Sequence, residues 1–168
     1  MLKMKFSEDK EKQEKRNQAI EILGKVQLDV GLTSESSARS KMLLAIHEHG
    51  SPIMNIPARP VVAPALENAG VKKEMSSAMV KACKAASEGD EKTIRQALEE
   101  AGQAGVDGIH EYIDAGVPPP NAPITLSGGW MWNKVSHKPF KVEGKSGSKP
   151  LVDTGQLYGD FHYEIKER

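Results

Sequence analysis

The chain has a single cysteine, Cys83, in 168 residues. One thiol makes neither a disulfide framework nor a thiolate metal cage. Aromatic residues are scarce, at 5%, and hydrophobic residues reach only 38%, below the usual share of a globular domain. The expected core is small and aliphatic, with apolar surface left over for a partner. Neither sign of charge is in excess, since Lys plus Arg and Asp plus Glu each number 23. That argues against a protein that coats nucleic acid through bulk charge, although not against one that DNA passes closely. No apolar run approaches the length of a membrane span, and the opening "MLKMKFSEDK" has no signal-peptide core. No membrane partner and assembly inside a cell are the expectations. There is no GxSxG, Walker loop or dinucleotide fingerprint.

What the chain does have is helical and alternating pattern, punctuated by glycine and proline. "LKMKF" sets Leu2, Met4 and Phe6 against lysines, a short strand over 2–6. Ser7 is placed to cap a helix over 8–23, with Glu8 and Asp9 in its first turn and Gly24 as its stop. "KVQLDVGL" alternates again, predicting a strand over 25–32. "ARSKMLLAIHEHG" reads as a helix closed by Gly50, and "PVVAPALENAG" as a short helix ending at Gly70. Two longer helices, 71–88 and 90–115, break at Gly89, with Asp90 as the cap of the second. In the second, Ile94, Leu98, Ala101, Gly105, Ile109 and Tyr112 share one face. Gly102, Gly105 and Gly108 inside it cost about 1 kcal/mol each relative to Ala, so something must approach that helix closely. Phe161, Tyr163 and Ile165 alternate with polar residues in a closing strand, which pairs with 26–31 or with 2–6. The resulting expectation is one α+β domain over 1–168. A small, mostly antiparallel sheet packs against several helices, with an irregular loop or hairpin excursion at about 124–149.

Four of the ten prolines stand in "VPPPNAPI", residues 117–124. A helix stop needs one; four make a stiff rod poor in donors. "IPARP", residues 56–60, is a second such segment. Both are expected to act as rigid straps that set the directions of the flanking helices. Ile56, Pro57, Ala58, Arg59 and Pro60, with Pro118, Pro119, Pro120 and Asn121, are therefore interface or motif candidates. Arg59, on an exposed stiff segment, is the leading candidate for a charged contact, to a carboxylate within the subunit or across an interface. A surface arginine with no fixed partner is the alternative. Trp130 and Trp132 lie on one side of an alternating run, as anchors on the chain's own domain or on another subunit. Lysines 134, 138, 141, 145 and 149 are expected to be solvated, with contact to DNA or an acidic partner as the alternative.

Two motifs suggest chemistry. "DTG", Asp153, Thr154 and Gly155, is the triplet of aspartic proteases, in which two carboxylates share a proton. The 13 residues 156–168 leave little room for a protease framework. The favoured reading is a helix start at Thr154: Asp153 and Gln156 at capping-box spacing, Val152 and Leu157 as a staple. "HEH", residues 47–49, with His110 and Glu111, suggests a metal. Histidines two apart on a helix diverge, whereas metal pairs stand four apart. A polar helix end is the expected reading, and no metal or cofactor is expected.

Three stretches, "AIHEHGSPIMNIPARP", "YIDAGVPPPNAPIT" and "KPLVDTGQLYGDFHYEI", occur in this order across roughly 44–165. Together they resemble the tail-completion or neck proteins of tailed bacteriophages, the minor tail protein Z-like or virion morphogenesis family. There a segment like "NEFGT" precedes "IPARPF", a helix leads into "IPPPNAPST", and "KPLIDTGQL" precedes a closing strand. This chain has His47-Glu48-His49-Gly50 for Asn-Glu-Phe-Gly and Val61 where Phe is common. The resemblance implies a non-enzymatic virion protein, assembled in the host cytoplasm and located in the neck or tail. It implies a homo-oligomeric ring, commonly a hexamer, that completes the tail and joins it to the head. Its implied partners are the head–tail connector or stopper, the tail terminator, and tail tube or sheath proteins. Phage DNA would thread the channel without sequence-specific binding. A metal- or peptide-binding accessory protein and a small aspartic-type hydrolase are the alternatives.

Overall fold

The computed structural model describes residues 10–54, 56–144 and 155–167. In chain order the elements are α1 (Lys10–Lys25), β1 (Val26–Leu32), α2 (Ala38–His49), α3 (Val62–Glu67), α4 (Ala69–Glu88) and α5 (Glu91–Ala115), then α6 (Pro123–Ser127), β2 (Gly129–Asn133), β3 (Lys138–Val142), α7 (Gln156–Gly159) and β4 (Phe161–Glu167). The class is α+β. The expected strand 2–6 and the cap at Ser7 lie outside the described residues.

β1 and β4 pair antiparallel, with Leu28 opposite Ile165, Val30 opposite Tyr163 and Leu32 opposite Phe161. Period-two alternation turns these apolar side chains toward α5 and leaves Gln27, Asp29, His162, Glu164 and Lys166 on the other face. There Lys166 Nζ bridges Asp29 at 2.8 Å and Glu164 at 3.2 Å.

α5 is the central element, packed on α4, α3 and both strands. Its buried face carries Ile94, Leu98, Ala101, Ile109 and Ile113. The glycine cost found in the sequence has its cause here. A Cβ at Gly102 would overlap the ring of Tyr163 on β4. One at Gly105 would sit 2.9 Å from Val30 Cγ1, and one at Gly108 2.5 Å from Val71 Cγ2 on α4. The three glycines let a strand pair and a helix approach the α5 backbone from different sides.

Several boundaries differ from expectation. α1 continues through Gly24 to Lys25, because Gly24 keeps an ordinary helical backbone, and Lys25 pairs with Glu21 across the last turn. The short helix expected to reach Gly70 stops at Glu67. Asn68 then caps α4, its side chain accepting from the Gly70 N–H at 2.8 Å. An N-cap asparagine outweighs the stop signal of the following glycine. Asp90 caps α5 as expected, accepting from Thr93 N–H at 3.1 Å. Of the two forms expected for 124–149, the described residues 124–144 take the hairpin: α6 leads into β2–β3, whose register pairs Met131 with Phe140 and Trp132 with Pro139.

Candidate functional site

α2 ends at Gly50, whose backbone lies at φ 69°. A Cβ there would meet Ala58 N and Ile56 O, each at 2.7 Å, so only glycine lets the chain turn against the "IPARP" strap. The strap folds back on the helix end. Ser51 and Ile56 exchange backbone hydrogen bonds of 2.8 and 2.9 Å, and Arg59 N–H donates to His47 O at 2.6 Å.

Glu48 closes the next junction. Its Oε1 accepts from Val61 N–H at 2.9 Å and Val62 N–H at 3.0 Å, the first free donors of α3. A carboxylate there satisfies orphan donors and complements the helix dipole. Its role was missed because the sequence signal for a helix cap is local, whereas Glu48 reaches 13 residues along the chain.

Arg59 ties the two straps together. Nε donates to Pro119 O at 2.7 Å and Nη2 to Pro120 O at 2.9 Å. The residue is only 6% exposed, contrary to the expected exposed contact. Its partners are carbonyl oxygens, not a carboxylate. The reason lies in the proline run, which offers acceptors with no matching donors, and the planar guanidinium fork fits two adjacent carbonyls. Burial pulls the guanidinium below its ordinary value, yet it stays a cation in water. The Pro118–Pro119 peptide is cis.

At the α3 end of one proline run and the α5 end of the other the chain turns inward. Val61 and Val117 are buried in one cluster with Ala65, Ile109, Ile113, Leu157 and Phe161. The structure thus brings Ile56–Pro60, Pro118–Pro120 and Leu157 to one corner. Pro57, Ala58, Pro60 and Pro118–Pro120 themselves lie at the surface, while Ile56 and Asn121 are half-buried. Gly155 adopts φ 77° immediately before α7. Asp153 and Thr154, with the protease triplet, the capping box and the staple to Val152, lie outside the described residues.

Searches for a family model, a curated protein and a solved structure all returned no match.

A second cluster links α5 to the closing segment. The His110 ring stacks on Tyr158 at 4.0 Å, and its Nε2 lies 2.9 Å from Tyr158 O. Tyr158 Oη donates to Asp114 Oδ2 at 3.0 Å. Burial, then the hydrogen bond to Asp114 and the charges of Asp114 and Asp107, push the phenol above its ordinary value. His110 is therefore engaged with an aromatic ring, His49 is exposed, and among the described residues no three His, Cys, Asp or Glu side chains are grouped to hold a metal. No described helix is long and apolar enough to cross a membrane.

Trp130 and Trp132 stand on the β2 strand, opposite Lys141 and Pro139. They are 70% and 59% exposed, so the described residues cover little of either ring. Asp160 joins the closing segment to α2. Its carboxylate accepts from Ser37 Oγ at 2.9 Å and Ser37 N–H at 3.2 Å, and hydrogen bonds from Ser40 and Ser37 hold it below its ordinary value.

Proposed function

We propose that the chain is a structural subunit of a tailed-phage virion, a ring-former at the head–tail joint or the top of the tail. One observation carries this reading. The three stretches that bear the family resemblance are far apart in sequence, yet their described residues meet at a single corner built around Arg59 and the Val61–Val117–Leu157–Phe161 cluster. Their polar groups are turned on one another: a guanidinium on carbonyls, a carboxylate on helix N–H groups. That is the chemistry of fixed shape. It supports a subunit whose work is done by stiff bends and exposed apolar faces.

In this role the protein would complete the tail and connect it to the head-side connector, as a homo-oligomer around the DNA path. The test is deletion of its coding sequence from the parent phage, followed by electron microscopy of lysates. Full heads beside unattached tails are the expected outcome. Intact infectious particles would rule the role out.

A further inference from the structure

The β2–β3 hairpin is apolar on both faces. Met131, Phe140 and Val142 form the half-buried side, while Trp130, Trp132 and Pro139 stand with Lys141 on the exposed side. Residues 129–142 contain three lysines, Lys134, Lys138 and Lys141, and no acidic residue. The preceding tract is the opposite. From Gln96 to Asn133 there is no Lys or Arg, and Glu99, Glu100, Asp107, Glu111 and Asp114 all belong to α5. Glu100 is engaged by Lys81 of α4 at 2.7 Å. Glu99, Gln103, Asp107, Glu111 and Asp114 follow helical spacing on the exposed side of α5. Beside this acidic stripe, on the side of β4 away from β1 and unpaired among the described residues, is a recess of about 400 Å³ lined by Glu35, Gln103, Val106, His110, His162 and Tyr163. A net charge of zero thus hides a basic aromatic projection and an acidic, ring-lined hollow on one molecule.

Resting on the ring-subunit reading, we infer that the hairpin of one copy docks on the acidic α5 face of the next, with its tryptophan side turned to the recess beside His110. The occupant is a second copy of this chain. Charge complementarity favours it, because the acid and base that match are carried in separate places by the same subunit. Exposed tryptophans of this kind are typical anchors of interfaces. Since the two surfaces differ, the contact is head-to-tail, and a head-to-tail contact closes into a ring when its rotation allows. Nucleic acid stacked on the tryptophans is the competing occupant, and the test separates the two.

The full chain is prepared as wild type, as a hairpin variant (Trp130→Ala, Trp132→Ala) and as a face variant (Glu99→Lys, Asp107→Lys). All altered positions are exposed, and unchanged circular dichroism and unfolding midpoints establish that each variant folds. Sedimentation velocity should show wild-type assembly beyond a dimer, weakened about thirtyfold or more in each variant. Mixing the two variants should give a one-to-one dimer and nothing larger, because each supplies one intact surface. A monomeric wild type, variants with wild-type mass, or a mixture that stays monomeric would overturn the docking. So would wild type that binds a single-stranded oligonucleotide through Trp130 and Trp132 while remaining monomeric. The virion role is read separately, from the deletion phage: joined particles restored equally by wild type and both variants would sink the docking and leave that role standing.

Discussion

Alanine at Gly108 should destabilise this protein, although alanine is the better helix former. The two effects can be weighed. Replacing a helix-interior glycine by alanine gains about 0.5–1 kcal/mol. Here the added methyl would stand 2.5 Å from Val71 Cγ2, 2.9 Å from Cγ1 and 3.3 Å from Cβ. Val71 is buried in α4, and a β-branched side chain in a helix has essentially one χ1 rotamer. It cannot swing aside, so α4 and α5 must part, at an overpacking cost of about 1–3 kcal/mol. The net expectation is a loss of about 1–2 kcal/mol, read as a lowered urea midpoint with unchanged slope. Val71→Ala alone should cost about 1.5–3 kcal/mol through lost burial. The double variant should recover at least about 0.5 kcal/mol of the summed losses, since the new methyl enters the space the valine left. Gly24→Ala, with nothing within 4 Å of its added Cβ, is the control and should be neutral or stabilising. A Gly108→Ala protein more stable than wild type, or strict additivity with Val71→Ala, would refute the close-approach account of the α5 glycines.

Arg59→Ala should cost about 2 kcal/mol in denaturant unfolding, because it removes two hydrogen bonds from a charged donor; Arg59→Lys should recover only part, since an ammonium lacks the fork. Glu48→Ala should lose about 1 kcal/mol, as expected for removal of a helix cap, whereas an unchanged midpoint would mean that water replaces the carboxylate. Asp160 titrates below its ordinary 3.8 because hydrogen bonds from Ser40 and Ser37 favour its anion. Its contribution is therefore present at neutral pH and lost as pH falls through that value toward the folded one. Thermal melts of Asp160→Asn should show a shallower acid dependence than wild type, and parallel curves would exclude the contribution.

The elements with clear period were legible in the sequence. The alternation of Val26, Leu28 and Val30 and of Phe161, Tyr163 and Ile165 led to the observed strand pair, and the face from Ile94 to Ile109 to the observed core helix. The glycines of α5 signalled a close approach, but not by what, since Tyr163, Val30 and Val71 come near only through the tertiary fold. Asn68 was hidden because Gly70 gave a competing stop signal two residues on. Arg59 drew attention by standing between prolines, yet its partners were not legible. Free carbonyls in a proline run are acceptors without a side-chain letter to mark them. Glu48 looked like part of a histidine motif, and only the return of the chain at Val61 gives its carboxylate a purpose.

The guanidinium of Arg59 behaves as a keystone. It locks the segment that enters α3 to the segment that leaves α5, and α3 itself rests on α5. A pull on the hairpin, carried back along Pro123 to Pro119, is therefore delivered into the helical body and not taken up by a slack tether. A building block jointed in this manner passes load onward like masonry, with the Arg59 fork above the joint and the buried Val61 and Val117 beneath it.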